Sequence, residues 1–349
     1  MKVNCIAMDT HGKTTDICCK KTVQSEPKCW HVPTTIPRLR EVIESIARPR
    51  WLTFEEGPLA DWLNRELRIS VDKLIVCDPR RNALVVKDGD ADDRIDARKL
   101  CDLLIGGYLR PVHHSESLER SVFKRQVGLY HERMEHRVSE ANKIIGRLKG
   151  WGVIVREKDF ADAGRRKELL GRLGDGAVMN IVREQFQVLL RSYDQAVSAE
   201  TAMERGMRRL AKGQEIIERL QALPGIAIVR ACTFVAYLDT PWRFASKEAL
   251  WKYLGIGLKR MQSGESRTYV CVDRACNRRL KAVVMGAAES VILQGDNPFA
   301  RQHQKWLAQG ISPPNAKRNV ARSIAAVEWG MWKNGGVYDP DRVGVAMDR

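Results

Sequence analysis

Near residue 112 the periodicity of the chain changes, and that change limits what it can fold into. Before it, short apolar runs alternate with helical patterns. After it come two long stretches, "SESLERSVFKRQVGLYHERMEHRVSEANKIIGRLKG" and "IVREQFQVLLRSYDQAVSAETAMERGMRRLAKGQEIIERLQAL". Both carry apolar residues at helical spacing among dense mixed charge, a texture of helices rather than strands. They predict two long helices joined by a Gly-rich, charged segment near 150–176. An antiparallel coiled-coil arm over 113–222 follows, with a long packed helical hairpin equally consistent.

The segment before the change, 1–112, reads as an α/β domain. "KVNCIAMD" suits a strand ending at Asp9, and "DTHGKTTDICC" a tight turn into a second strand. A helix is expected over "IPRLREVIESIA", a strand over "RWLTFE", and a helix over "LADWLNREL" after a turn at Gly57–Pro58. "DKLIVCD" reads as a buried strand and "NALVVK" as a short one, before the helix "RIDARKLCDLLIGGYL". The third segment, 223–349, is mainly helical. It holds a helix–turn–helix with Pro224–Gly225 at the bend, a helix "SKEALWKYLGI" with Ser246 as N-cap, and a polar loop leading into an apolar helix near 278–292. "AKRNVARSIAAVEWGMWKNG" makes a final helix.

The chain of 349 residues carries 59 Lys+Arg against 43 Asp+Glu, a net charge of +16. That balance favours a polyanionic partner. The surplus is uneven: +2 over residues 1–110, +5 over 111–220 and +9 over 221–349. The pattern resembles a catalytic module followed by a nucleic-acid grip. No apolar run of about 18 residues predicts a membrane span. The N-terminus has a polar Asp where a signal peptide needs its apolar core. Nine Cys without framework spacing point to a reducing compartment, so a cytoplasmic protein is expected. A phosphate-loop nucleotide enzyme is disfavoured, because GxxxxGK followed by Ser or Thr does not occur.

Within the nearly neutral first third, "DGDADDRID" puts five carboxylates into nine positions. Like charges repel, and crowding them costs stability unless a cation relieves them. Asp93 and Asp96 stand three apart at a helix start and so share a face. Asp9 ends the first strand and Glu55, with Glu56 as competitor, ends the "RWLTFE" strand. Taken singly, each reads as a cap or a surface charge. Together, carboxylates at strand ends and an adjacent helix start offer hard oxygen ligands for Mg²⁺ or Mn²⁺. Two such ions about 3.5–4 Å apart serve phosphodiester transfer.

"AMDTHGKTTDICC", "TFEEGPLADWL" and "DDRIDARKL" resemble the three blocks of the DEDD transposases of insertion sequences, a family related to the Piv invertase. "LPGIAIVRACTFVAYLDTPWRFASKEALWKYLGI" looks like that family's helix-hairpin-helix, and "QSGESR" with "ACNRRLKAVVMGAA" like its serine-containing block. The blocks occur in the family's order along almost the whole chain. The resemblance implies an RNase H-like (RuvC-like) N-terminal domain whose metal ligands are Asp9, Glu55, Asp93 and Asp96. It implies Ser263 as nucleophile, with Ser266 as the alternative, and so a composite active site. It also implies a bacterial, nucleoid-associated recombinase acting on donor and target DNA. A structured non-coding guide RNA and a tetramer built from dimers belong to the same implication. Independently of it, Lys259, Arg260, Arg267, Arg274, Arg278 and Arg279 cluster around Ser263 as a backbone-binding surface, with Trp251 and Tyr269 nearby. Two rivals remain on sequence: a RuvC-like junction endonuclease using water and metals alone, and a catalytically silent nucleic-acid-binding protein.

Overall fold

The computed structural model describes residues 3–82, 93–115, 117–261, 269–272 and 275–343. It divides into two units, Met1–Leu118 and Glu119–Arg349.

In the first unit the elements run β1 (Asn4–Thr10), β2 (Thr14–Lys20), β3 (Lys28–Pro33), α1 (Ile36–Ser45), β4 (Arg50–Glu55), α2 (Ala60–Leu67), β5 (Lys73–Cys77), α3 (Pro79–Asn82) and α4 (Asp93–Gly106). The five strands form one sheet in the order β3-β2-β1-β4-β5. β1, β2 and β3 pair antiparallel as a meander, whereas β4 and β5 join parallel. Side chains alternate along a strand, so each face collects its own core. Ile6, Met8, Leu52 and Phe54 pack against α1 and α2, and Cys5, Ala7 and Cys18 pack against α4. The α/β expectation holds. β3 is an addition to it, and "NALVVK" falls almost wholly outside the described residues.

The second unit opens with α5 (Leu118–Gly150), then α6 (Lys158–Ala161), α7 (Arg166–Gly171) and α8 (Ala177–Ala211). The two long helices are present as expected, but the segment between them is folded. Phe160, Leu169, Leu170 and Leu173 build a small core with Ile144 and Leu148 of α5 and Phe186, Leu190 and Tyr193 of α8. At the other end Phe123, Val127, Tyr130, Met207 and Ala211 join the core of the C-terminal helices. Between the two clusters the contacts are polar: Arg137 Nε bonds Glu200 Oε2 at 2.5 Å and its Nη1 pairs with Glu157. The arm is thus a helical hairpin held at its ends.

The chain continues through α9 (Glu215–Leu220), α10 (Ile228–Leu238), α11 (Lys247–Tyr253), β6 (Leu258–Met261), β7 (Tyr269–Val272), α12 (Arg278–Gln294), α13 (Pro298–Ala308) and α14 (Pro313–Asn334). Ser246 caps α11 as expected, accepting from the Ala249 N–H at 3.3 Å. The segment read as a polar loop instead enters and leaves as an antiparallel ribbon, β6 against β7. No helix among the described residues is long and apolar enough to cross a membrane.

One polar group in this core stands out. Glu328 of α14 is 0 % exposed, and neither carboxylate oxygen has a hydrogen-bond partner among the described residues. Burial pushes its carboxyl up to about 8, against the opposing pull of Arg230. Folded protein therefore keeps a proton that unfolded chain releases above its ordinary value of 4.5. Stability falls as pH rises through that window, by about 1.4 kcal/mol per unit while only the folded state is protonated. Glu328→Gln removes the titration. In urea denaturation the variant should match the parent near the lower end of the window and exceed it in stability by a few kcal/mol at its upper end; equal pH slopes for the two proteins would refute the assignment.

Candidate functional site

β1 is buried on both faces from Cys5 to Met8. Asp9 is the first residue beyond that run, and its side chain is 28 % exposed. The parallel ladder with β4 ends at Met8 opposite Phe54, so Asp9 and Glu55 stand one step further on, at the carboxyl ends of adjacent strands. Alternation carries both onto the face covered by α4. The start of α4 lies at the same end, because Arg94 Nε is 3.6 Å from Asp16 Oδ1 and Asp16 is the direct cross-strand partner of Asp9. Asp96 is exposed in the first turn of α4. Asp93 is its first residue, but its side chain lies outside those described. The fold therefore gathers Asp9, Glu55 and the first turn of α4 at one end of the sheet. Among the described residues no three His, Cys, Asp or Glu side chains are grouped to hold a metal ion.

The geometry separates the two adjacent glutamates. Glu56 Oε2 lies 2.6 Å from His114 Nε2, and His114 Nδ1 is 3.8 Å from Asp61. His114 belongs to the strap that follows the bridge between Cys77 and Pro111. His114 thus supplies a clamp on Glu56, while Glu55 stays at the sheet end beside Asp9.

Two further residues at this end escape a reading of the sequence. Asp16 is 4 % exposed and its Oδ2 lies 2.9 Å from His31 Nδ1, on the next strand. It links β2, β3 and the first turn of α4. His11 Nε2 lies 3.4 Å from Asp9 Oδ2. The only sequence signal for Asp16 is a charged residue inside the apolar strand "TTDICC"; its meaning depends on the register that sets it opposite Asp9.

In the second unit the bend between α9 and α10 packs against α12. Gly225 has φ +75°, and a Cβ there would come within 2.8 Å of Val291 and 3.0 Å of the Ala287 carbonyl. Ala227 has φ −87°, ordinary for any residue, so the backbone entering α10 carries no strain there. Arg230 secures the bend, donating to the Gly225 carbonyl and, at 2.9 Å, to Ser290 Oγ. Ser263, Ser266, Arg267 and Arg274 lie outside the described residues, between and after the ribbon strands. Lys259 and Arg260 belong to β6.

Arg278 is exposed at the start of α12, where Asn277 Oδ1 accepts from the Leu280 N–H at 3.0 Å. Arg279 is engaged within the unit: its Nη1 donates to Tyr237 Oη at 2.7 Å, and Glu132 and Glu135 of α5 lie at 3.6 and 3.8 Å. It ties α12 to α10 and to the arm. Trp251 is likewise partly buried, donating to the Arg322 carbonyl at 3.1 Å. Beneath Arg279, His131 is pushed down to about 4 by burial and by that guanidinium, so it is neutral where its Nε2 meets Thr233 Oγ1 at 2.8 Å.

Residues 217–304 match the model of the IS116/IS110/IS902 transposase family. The match begins in α9, takes in the bend and the β6–β7 ribbon, and ends in α13. A protein of Sinorhizobium fredii that bears the provisional name transposase y4pF/y4sB is 20% identical over 251 residues, or 71% of this chain. The chain spans 64% of the length of that relative. The transposase-family match thus covers the bend and the ribbon, while the carboxylates at the sheet end lie outside it.

Asp16→Ala should destabilise the protein by about 0.5–1.5 kcal/mol, the net worth of one hydrogen bond, since the half-exposed His31 it leaves behind can bond water. The exposed Arg94 contributes little to that figure. Asp16→Asn, which keeps an acceptor for His31, should recover most of it in chemical denaturation. If alanine and the parent unfold at the same denaturant concentration, the Asp16–His31 bond does not stabilise the sheet.

Proposed function

We propose that this chain is a DNA transposase or site-specific recombinase of an insertion sequence. The observation that carries the reading is the transposase-family match over 217–304. It is supported by a five-stranded sheet that collects Asp9, Glu55 and the start of α4 at one end. The strand order, with three antiparallel strands followed by two parallel ones, supports an α/β domain of the RNase H-like kind that the resemblance implies. A set made of carboxylates alone offers hard oxygen donors and suits Mg²⁺ or Mn²⁺ rather than a thiophilic ion. Asp9, Glu55, Asp93 and Asp96 would hold it. Such an ion supplies charge stabilisation for a leaving phosphodiester oxygen.

The remaining chemistry belongs to the protein's own groups. Ser263 Oγ attacks a backbone phosphorus, a Ser–O–P bond forms, and the P–O bond to the leaving strand breaks. The hydroxyl proton ends on the leaving oxygen, and the ester keeps the strand attached for rejoining. The basic surplus of the last third grips phosphates, with Lys259, Arg260, Arg267, Arg274 and the exposed Arg278 as contacts and Arg279 acting mainly through α12. Donor and target DNA are the substrates. Sequence choice rests on a structured non-coding guide RNA, which the protein reads by shape and backbone. The working unit is a tetramer made from dimers, in a bacterial cytoplasm.

A nicked or suicide DNA substrate tests this reading. Wild-type protein with Mg²⁺ should give a covalent adduct that survives denaturation, since a phosphoserine ester does not depend on the fold. Ser263→Ala should abolish the adduct, Ser266→Ala should leave it, and Asp9→Asn should reduce it at least a hundredfold with nucleic-acid binding retained. Cleavage that releases free ends without an adduct would replace the serine mechanism with a junction endonuclease.

A further inference from the structure

The face of the sheet under α4 carries a second group of reactive side chains, away from the carboxylates. Cys18 of β2 and Cys29 of β3 are direct partners in the antiparallel ladder. Such partners have Cα atoms about 4.5 or 5.5 Å apart, both inside the ~4.4–6.8 Å span of disulfides, and their side chains share a face. Cys101, from α4, closes over them. Its thiol donates to the Cys5 carbonyl at 3.1 Å, and its sulfur lies within reach of Cys18. Arg98, one turn earlier on α4, is hydrogen bonded to the Cys29 side chain.

The three thiols differ in access. Cys29 is exposed, whereas Cys18 is 1 % and Cys101 0 % accessible. They differ also in proton affinity. The Cys101 side chain beside it holds the Cys18 thiol below its ordinary value, outweighing the cost of burial, with Cys29, Lys20 and Arg98 adding to the effect. Cys101 is pushed the other way, by that same contact and by burial. An accessible sulfur therefore stands directly opposite a buried one whose proton is held less tightly than usual. Such an arrangement differs from a structural cysteine pair, in which both thiols are sequestered.

We propose that Cys29 and Cys18 are a peroxide-sensitive pair that oxidises to a disulfide across β2 and β3. The Cys29 sulfur attacks one oxygen of hydrogen peroxide. The O–O bond breaks, water leaves, and Cys29, having given up two electrons, becomes a sulfenic acid. The Cys18 thiolate then attacks the Cys29 sulfur. The S–S bond forms, the S–O bond breaks, and the departing hydroxide takes up the proton that Cys18 released, leaving as a second water. Cys101 is a positioning residue: its thiol proton is engaged by the Cys5 carbonyl, which fixes its sulfur beside Cys18. Because the Cys101 sulfur of α4 sits beside Cys18, a change at the Cys18 sulfur is met by that helix. The pair is independent of the transposase reading.

Reduced full-length protein treated with hydrogen peroxide, blocked and digested without reductant tests the pair. The expected product is a Cys18–Cys29 linked peptide, lighter by two hydrogens than its reduced parts and lost on adding dithiothreitol. Cys19 is next in sequence but packs on the opposite face, so Cys19→Ala should leave the link in place. Cys29→Ser, at an exposed position, should abolish it. In Cys18→Ala, Cys29 should accumulate as a sulfenic acid trapped by a dione probe, and Cys101→Ala should slow formation of the link at least several-fold. Linkage of Cys29 to a second copy of the chain, linkage to Cys19, or over-oxidation of Cys29 without any disulfide would each overturn the proposal.

Discussion

The first unit depends on one strand having no solvent face. β1 lies in the middle of the sheet, antiparallel to β2 and parallel to β4, and its residues feed two cores in alternation. A strand in that position cannot carry charge until it runs out of cover. Asp9 appears where the cover ends, and β4, locked to β1 in parallel register, delivers Glu55 to the same level. The convergence of carboxylates at this end is therefore a consequence of burial elsewhere. Moving either strand by one residue would turn its acid to the other face.

The same logic explains what could be read from the amino-acid sequence. β1, β4 and β5 are apolar runs bounded by turns, and the long helices carry their period over many turns, so these elements show locally. β3 does not. "KCWHVP" is an edge strand with one face toward solvent, and Lys28, Cys29, His31 and Pro33 are all exposed. Its pairing with β2 decides its state more than its composition does. The β6–β7 ribbon is hidden for a related reason: two four-residue strands are too short for alternation to register against the charges around them. The arm tip is a third case. Val153, Val155 and Phe160 look like scattered apolar residues in a charged linker until the ends of α5 and α8 are there to receive them.

The candidate site divides along the same line. Asp9, Glu55 and Asp96 are marked by their places at element ends, which a local reading finds. Asp16 and His31 are joined through strand register, and His114 reaches Glu56 across 58 positions. Nothing local signals those pairings. Arg279 shows the converse limit. Its setting in a basic stretch suggests a phosphate contact, but the acids that engage it lie on α5, more than 140 residues earlier.

That pairing bears on how the second unit is held together. The arm has apolar clusters at both ends and a polar middle, so α5 and α8 lack a continuous a/d seam to fix them. The base must then be secured by other contacts. Arg279 reaches from α12 to α5, His131 of α5 meets Thr233 of α10, and the Gln126 amide donates to the Met203 carbonyl of α8 at 2.8 Å. These bonds sit beside Phe123, Val127 and Tyr130, where desolvation makes an unmatched polar group costly. They add directional contacts to the apolar packing at the base of the arm. The helix that seats the arm, α12, also receives the Gly225 bend and follows directly on the β6–β7 ribbon, so the segment that matches the transposase family is built around the same helix that anchors the hairpin.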